Sequence, residues 1–414
     1  SDQDATLKEV EFEAFNFTGT DNSSLITVSD VSGVLFDTIF FHDPTPAANT
    51  TQGALLEIRR SDGVTINNSV IEGFESRVGG GAIVIVSANN IKIQKSFFRD
   101  GRVSEGPGGA IRATNIDLII DDCLFTDLQA DEGGAIALIN SEATIRNSEF
   151  EGNTGNSAGS AMILKDSSVL LENSILFNNE AFVEGGTILS RRSSLTIKNS
   201  DFSRNDAEGG GGGVISENPE GEGSLVVENS RFAGNLESST PQSNGAVIIA
   251  RDGEHRIENS IFVGNSSDAF STVFRVEQFA RMSVVNCTIA ENDHRRGDRR
   301  TVAYVFGPSA SLSFFNTIFE ENESEQFKED EMGTISLTNC LFKLPENQTA
   351  VILEDDDGSM VDSVEELNSL SRNSGNLQGS ARFLSPSDAP REFNFTVVEE
   401  DEQAFTTTYI SPDF

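Results

Sequence analysis

Residues 294–300, read as His-Arg-Arg-Gly-Asp-Arg-Arg, form the densest group of cationic side chains in this chain. Guanidinium groups bind carboxylates with paired hydrogen bonds, so this stretch could grip an anionic polysaccharide or an acidic protein surface. The tripeptide 296–298, Arg-Gly-Asp, could serve in adhesion. Alternatively, the stretch is a solvated loop in which this tripeptide arose by chance. Both alternatives stay open. The cations predicted to contact a partner are Arg295, Arg296, Arg299 and Arg300.

Two runs of carboxylates, Glu354-Asp355-Asp356-Asp357 and 399–402, are the second chemical feature. Calcium ions bind several oxygen ligands, and neighbouring carboxylates could supply them. Neither run has the spaced Asp and Gly residues of a dedicated calcium loop. We therefore predict no cofactor, and Ca²⁺ bridging of these runs is the single exception to consider.

A repeated corner motif must position these groups. Short apolar segments end in Asn-Ser or a variant of it, and a large apolar residue follows two positions later, as in Asn147-Ser148-Glu149-Phe150. Successive anchors lie 23 to 31 residues apart, which is typical of a solenoid coil. The twelve anchors are Asp37, Asn68, Lys95, Asp122, Asn147, Asn173, Asn199, Asn229, Asn259, Asn286, Asn316 and Asn339.

A second motif lies midway between the anchors and reads Gly-Gly-Ala-Ile or a relaxed form, as at 108–111 and 133–136. Each coil is thus predicted to contain a glycine turn, an apolar strand, a polar turn, a second strand, the Asn corner and a third short strand. Alternate residues of each strand face inward, so Leu195 and Ile197 are examples of predicted core positions.

These features predict an all-β fold, a single-stranded right-handed parallel β-helix of about 12 coils with terminal arms. Stacking at about 4.8 Å would place the aromatic residues in one column and the corner asparagines in another, along a rod on the order of 55 to 60 Å long. Thirty Phe and no Trp agree with such a column. The predicted boundaries are 1–30 for an N-terminal arm, 31–353 for the β-helix and 354–414 for an acidic C-terminal arm.

The cysteines and histidines show no metal-ligand spacing. Cys123, Cys287 and Cys340 all follow the corner residue, where other coils have Ser or Thr. Cys287 and Cys340 are two coils apart, which exceeds the reach of a disulfide. We predict three free thiols in a small inward-facing column.

A net charge of −37 excludes nucleic acid phosphates as partners. No apolar run approaches the ~20 residues of a membrane-spanning helix, so no membrane insertion is expected. The chain begins with Ser1 and has no apolar leader, which predicts a secreted protein whose signal peptide has been removed. The expected location is extracellular or at the cell surface.

Nine Asn-x-Ser/Thr sequons occur. Asn286 occupies a corner and is expected to be buried, so no sugar is predicted there. Glycosylation candidates are the sequons in the predicted arms or in long loops, where a glycan has room. They are Asn16, Asn22, Asn49, Asn347 and Asn394.

Both arms contain Phe-Asn-Phe-Thr, at 15–18 and 393–396. Apolar residues alternate with polar ones in the second copy, which predicts a half-buried strand. Such a strand could cap its own solenoid or add to a neighbouring subunit. The predicted contact residues in the arms are Phe15, Phe17, Phe393 and Phe395.

The alternation of Gly-Gly-Ala-Ile with Phe-x-x-Asn, as in Phe150-Glu151-Gly152-Asn153, resembles the repeats of chlamydial polymorphic outer membrane proteins and related secreted β-helices. The resemblance covers about residues 50 to 325. It implies the right-handed β-helix fold and a surface-displayed adhesin. The wider superfamily also contains pectate lyases, polygalacturonases and alginate epimerases, so an enzyme must be considered.

Carbohydrate-active β-helices place acidic and basic groups on one groove-facing strand, where they act as acid and base. The sequence contains no Gly-His-Gly, Arg-Ile-Lys or Asp-Pro-His, and His42-Asp43-Pro44 has related residues in another order. We therefore predict that the chain is not an enzyme.

The function predicted from these observations is structural or adhesive. The chain would be a repeating subunit of an extracellular filament or surface layer, a homo-oligomer assembled head to tail through its arms. The alternative is a protein that binds or modifies polysaccharide, and an extracellular polysaccharide or glycan is its expected partner.

Overall fold

The computed structural model describes residues 5–13, 16–17, 24–42, 45–46, 54–183, 186–208, 215–217, 223–238, 246–268, 271–294, 301–322, 325–343, 352–378, 392–398 and 404–410. The chain divides into two compact units, Ser1–Gly379 and Ser380–Phe414. The first unit is a β-solenoid whose coils pair in parallel, and it contains the core.

Three parallel ladders of strands, here called the first, second and third sheets, run along this solenoid. Strands of the first sheet are Ile26–Ser29, Leu56–Arg59, Ile83–Gln94, Ile111–Asp121, Ile136–Ile139, Met162–Lys165, Ile188–Arg191, Ile215–Glu217, Ile248–Arg251, Ser271–Glu277, Thr301–Phe306, Glu325–Asp330 and Leu353–Glu354. The second sheet consists of Val34–His42, Thr65–Asn67, the ends of Ile83–Gln94 and Ile111–Asp121, Glu142–Arg146, Ser168–Glu172, Ser194–Lys198, Ser224–Glu228, Glu254–Glu258, Arg281–Val285, Ser311–Phe315 and Thr334–Thr338.

The third sheet follows the corners. Its strands are Val70–Glu72, Phe97–Arg99, Leu124–Thr126, Glu149–Glu151, Ile175–Phe177, Asp201–Ser203, Arg231–Ala233, Ile261–Val263, Thr288–Ala290, Ile318–Glu320, Leu341–Lys343 and Leu377–Gln378. A fourth, shorter ladder lies in the returning segments: Glu75–Val78, Arg102–Glu105, Gln129–Glu132, Thr154–Ala158, Glu180–Ala181, Asp206–Ala207, Leu236–Glu237, Ser266–Ser267 and Asp293–His294. These ladders confirm the predicted β-solenoid.

The corner residues adopt the left-handed backbone conformation that Asn accepts more readily than most residues. Asn147 has a φ of 51° and Asn229 a φ of 51°. The first anchor was misplaced by one residue, because Asp37 pairs with Asn67 and Thr38, with a φ of 58°, takes the corner. No Asn marks that corner, so the motif could be aligned in either register.

The aromatic column has the predicted register. Phe202, Phe232 and Phe262 are fully buried, and each ring centroid lies 4.8 Å from the next. Leu176 and Ile289 occupy the same column where a coil has no Phe. Stacked parallel rings at this spacing fill the core continuously from coil to coil.

The buried asparagine ladder lies six residues after the corners, and the corner asparagines themselves are half-buried or exposed. The corner asparagines do share a column, as predicted, because Asn316 donates to Asn286 and Asn286 donates to Asn259, but the expectation that this column is buried was wrong. Each side-chain amide of the ladder except the last donates to the carboxamide oxygen of the next coil, for example Asn179 Nδ2 to Asn205 Oδ1 at 2.9 Å. The ladder consists of Asn153, Asn179, Asn205, Asn235, Asn265, Asn292 and Asn322.

The residue after each corner forms a column of small polar side chains. Ser174 Oγ accepts the backbone N–H of Ser148 at 3.2 Å and donates to the carbonyl of Glu172 at 2.9 Å. Cys123 occupies the same position, is buried and is a free thiol, as Cys287 and Cys340 also are. Burial raises the pKa of the Cys123 thiol to about 12, so the thiolate is disfavoured.

Glycine is required at the turn before the first sheet because backbones of adjacent coils approach closely there. A Cβ on Gly109 would lie 1.8 Å from the carbonyl oxygen of Gly134. Gly108, with a φ of 79°, makes the preceding bend. The Gly-Gly pair therefore marks the tightest packing in the coil.

Both ends of the solenoid continue into elements of the same chain. Ala5–Glu13 pairs in parallel with Val34–His42, so the N-terminal arm extends the ladder. At the other end, Leu353–Glu354 pairs antiparallel with Met360–Val361. A short helix, Val364–Ser369, then packs its buried Val364 and Leu367 into the core.

The second unit is a β-hairpin. Glu392–Val398 pairs antiparallel with Ala404–Ile410, and Phe395 lies opposite Thr407. The alternating pattern at 393–397 predicted a strand at this position, and the structure has one. Asn16–Phe17 forms a further short pairing with Thr45–Pro46 in the first unit.

Candidate functional site

The predicted partner-contact residues lie at several separate places in the sequence. Arg295, Arg296, Arg299, Arg300 and Phe15 fall outside the described residues. Phe17 ends a two-residue strand of the first unit, while Phe393 and Phe395 lie in the hairpin of the second unit. Their roles in binding stay predictions.

The predicted glycosylation candidates lie either outside the described residues or in strands. Asn22, Asn49 and Asn347 lie outside the described residues, and Asn16 and Asn394 lie in strands. The expectation for Asn286 was wrong, because this corner side chain is exposed and donates to Asn259 Oδ1 at 3.3 Å. Members of the buried ladder also carry sequons, and burial closes these to modification: Asn265 and Asn322.

The first acidic run forms a turn. Asp355 Oδ1 accepts the backbone N–H of Ser359 at 3.0 Å, and Glu354 accepts from Lys328 Nζ at 2.9 Å. The second run, 399–402, lies outside the described residues. Within the described part of the chain, no group of three or more His, Cys, Asp or Glu side chains is arranged to hold a metal ion.

A group of charged side chains and one tyrosine lies on the outward face of the first sheet, on its last five strands. The register places its members in two adjacent columns that alternate with core residues such as Phe274 and Val276. We call this group the charged cluster. It consists of Arg251, Arg275, Glu277, Tyr304, Lys328, Asp330 and Glu354.

Contacts within the charged cluster join neighbouring coils. Arg251 Nε donates to Glu277 Oε2 at 2.8 Å, and Arg275 also donates to Glu277. The Arg275 guanidinium lies 5.1 Å from the centroid of the Tyr304 ring, a cation–π distance. Tyr304 Oη donates to Asp330 Oδ2 at 3.0 Å. Two cations and two carboxylates are thus linked through Tyr304, and Lys328 and Glu354 form a further pair across neighbouring coils.

Burial and charge set the protonation of the cluster. Arg275, Glu277 and Tyr304 are only 6–7% exposed although they point away from the core. Burial would raise the pKa of Glu277, but the charges of Arg275 and Arg251 and their hydrogen bonds together lower it. Burial, and then the hydrogen bond to Asp330, raise the pKa of Tyr304. The cluster therefore holds an ionised carboxylate and a neutral phenol.

This arrangement suits recognition better than proton transfer. A general base needs an acceptor free to take a proton, and Glu277 is held ionised by two arginines. The sequence analysis missed the cluster because its members occupy the variable outward positions and share no repeated motif.

Within the described residues, no helix has the length and apolar character needed to cross a membrane.

Comparison with known proteins identifies the fold. Residues 100–239 match the family model of the right-handed β-helix region, which is less than half of the chain. The resemblance to chlamydial repeats is finer than this match and stays a prediction. No curated protein matches the chain.

One similar solved structure is the crystal structure of a TibC-catalysed, hyper-glycosylated TibA fragment, residues 55–350. It is 13% identical, and the alignment covers 78% of this chain and 100% of that one, with a TM-score of 0.23. At this TM-score the likeness supports no conclusion about function. The family match over residues 100–239 and the parallel ladders together identify the solenoid as a right-handed β-helix.

Proposed function

We propose that this protein is a structural or adhesive β-solenoid of an extracellular surface, in which the coils act as a stiff spacer. The observation that carries the proposal is the buried asparagine ladder, which links consecutive coils from Asn153 to Asn322. Each amide in it up to Asn292 is hydrogen-bonded to the coils on either side. Such a ladder resists bending and separation of the coils, and these are the demands on a spacer.

Self-association would proceed through residues 380–414. The N-terminal arm already pairs with its own solenoid, so its strand is engaged on one side. The hairpin of the second unit has only its two strands paired among the described residues, and an isolated two-stranded sheet is marginally stable. Strand addition to a hairpin edge by another copy would propagate an open filament.

Deletion of residues 380–414 tests this assembly. We expect the full chain to form filaments in electron micrographs and to sediment as a polymer, while the truncated chain sediments as a monomeric rod. Equal polymerisation of both chains would exclude the hairpin as the connector. Monomers from both would exclude the filament and leave a single rod as the structural unit.

A second candidate function, binding of an anionic polysaccharide, is favoured by the charged cluster. Arg251 and Lys328 keep side-chain exposures of 14% and 28%, so their charged ends reach solvent in an otherwise acidic molecule. A polyuronate carboxylate could exchange with the protein carboxylates that these cations now bind.

We expect the pure protein to release no shortened or unsaturated sugars from pectin or alginate, with or without Ca²⁺. The reason is that two acids of the cluster already have partners. Glu277 pairs with Arg275, and Asp330 accepts a hydrogen bond from Tyr304. Chromatography of the digests measures this. Product release that is abolished by Asp330→Asn would contradict this expectation. Asp166→Asn is the matched control, because Asp166 lies in an exposed turn and pairs with Arg192.

A further inference from the structure

One ionisable side chain lies inside the core of the solenoid. His255 points inward from Glu254–Glu258 and is only 3% exposed. The register stacks it between Leu225 of the preceding coil and Met282 of the following one. Coils further back have Leu195 and Val169 in the same column. The histidine thus replaces an aliphatic residue in an otherwise apolar column.

The hydrogen bonds of the imidazole fix its neutral form. His255 Nε2 lies 2.7 Å from the carbonyl oxygen of Asp252, which can only accept, so Nε2 carries the proton. Nδ1 is buried and has no hydrogen-bond partner in the described structure. A second proton would sit on Nδ1 with no acceptor in reach, which is costly in an apolar interior.

The charged groups around His255 do not compensate for its burial. On its own segment, Asp252 and Glu254 favour the imidazolium, but burial outweighs them and lowers the pKa of His255. From the following strand, Arg281 faces outward and pairs with Glu254 at 3.7 Å. From the preceding strand, Glu228 faces outward and pairs with Lys198 at 3.1 Å.

We propose that His255 is an acid-sensitive joint in the solenoid, at which the coil opens when the imidazole takes up a proton. Opening would expose Nδ1 to water. It would also separate the paired strands on the N-terminal side of this coil from those on its C-terminal side. Among the residues whose burial the structure describes, no other histidine is buried, so we expect the opening to be confined to this coil.

The sign of the pH dependence follows from the lowered pKa. The folded coil prefers the neutral imidazole, so its stability is full above the unfolded pKa of about 6.5 and falls as the pH decreases below it. Each pH unit below that value multiplies the opening equilibrium by at most tenfold. At pH 6.5 half of the unfolded imidazoles already carry the proton, so the limit between pH 6.5 and pH 5.0 is about 16-fold.

Hydrogen exchange measured by mass spectrometry, corrected for the intrinsic pH dependence, tests the proposal on the full chain. We expect amides of Glu254–Glu258 to exchange severalfold faster at pH 5.0 than at pH 6.5, while those of Ser168–Glu172 change little. His255→Leu, matching Leu225 in the column, should remove the difference. His42→Gln is the matched control, because His42 lies on the outer face beside Glu72, and it should leave the difference intact.

Equal acceleration in the wild type and in His255→Leu would overturn the proposal. Should His255→Leu not fold, the imidazole of the wild-type protein can be titrated by nuclear magnetic resonance. A midpoint well below 6.5 supports the joint, and a midpoint at or above 6.5 refutes it.

Discussion

Phe232→Ala is expected to destabilise the solenoid by roughly 3 to 5 kcal/mol. The Phe232 ring is fully buried and stacks at 4.8 Å on Phe202 on one side and on Phe262 on the other. Removing it leaves a cavity that the two neighbouring rings cannot close, because backbone pairing holds the coils at a fixed spacing. Urea denaturation followed by circular dichroism measures the loss.

Phe279→Ala is the matched control, because that ring lies in a turn and is 66% exposed. Its truncation should change the stability by about 0.5 kcal/mol or less. If the two variants unfold at the same urea concentration, the aromatic column does not stabilise the coils in the way that its packing indicates.

Asn205→Ala is expected to cost about 2 to 6 kcal/mol, although the side chain is small and polar. Asn205 Oδ1 accepts both the backbone N–H and the Nδ2 of Asn179, at 3.0 and 2.9 Å, and its own Nδ2 donates to Leu176 and Asn235. Alanine leaves the backbone N–H of Asn179 and one hydrogen of its Nδ2 buried without an acceptor, at about 1 to 3 kcal/mol each, while the carbonyl oxygen of Phe150 still accepts the other hydrogen.

Asn229→Gly serves as the comparison, since it also removes an asparagine amide. Asn229 is an exposed corner residue with a φ of 51°, a conformation that glycine adopts without strain. We expect a change within about 0.5 kcal/mol. A corner variant as unstable as Asn205→Ala would show that the corner asparagines, and not the buried ladder, stabilise the stack.

Periodic features of the fold could be predicted from the sequence, because every coil repeats the same constraint. The anchors located the corners, and the residue three positions later located the aromatic column, of which Phe150 and Phe319 are buried members. The assignment of Asp37 as an anchor was wrong. Its coil has no Asn at the corner, so the motif could be aligned in either of two registers that differ by one residue. The position of the buried amides was also predicted wrongly. The corner asparagine and the asparagine six residues later recur with the same period, so periodicity does not show which of them is buried.

Features that depend on a single coil could not be predicted. Asn286 was expected to be buried because the corner was taken to face the core, whereas a left-handed corner turns its side chain toward solvent. The members of the charged cluster lie at outward positions. Packing in the core does not require the same residue type at these positions in every coil. Arg275 and Tyr304 come together only through the register of adjacent coils, and pattern analysis does not compare such positions.

The asparagine ladder also determines how this protein can change its length. Every level of the ladder before the last presents the same acceptor to the level before it and the same donor to the level after it, as Asn205 does between Asn179 and Asn235. A whole coil could therefore be gained or lost by gene duplication or excision, and the new neighbours would meet with matching groups. Evolution can thus set the reach of the molecule by copy number, in steps of about 4.8 Å, without redesigning a single interior contact.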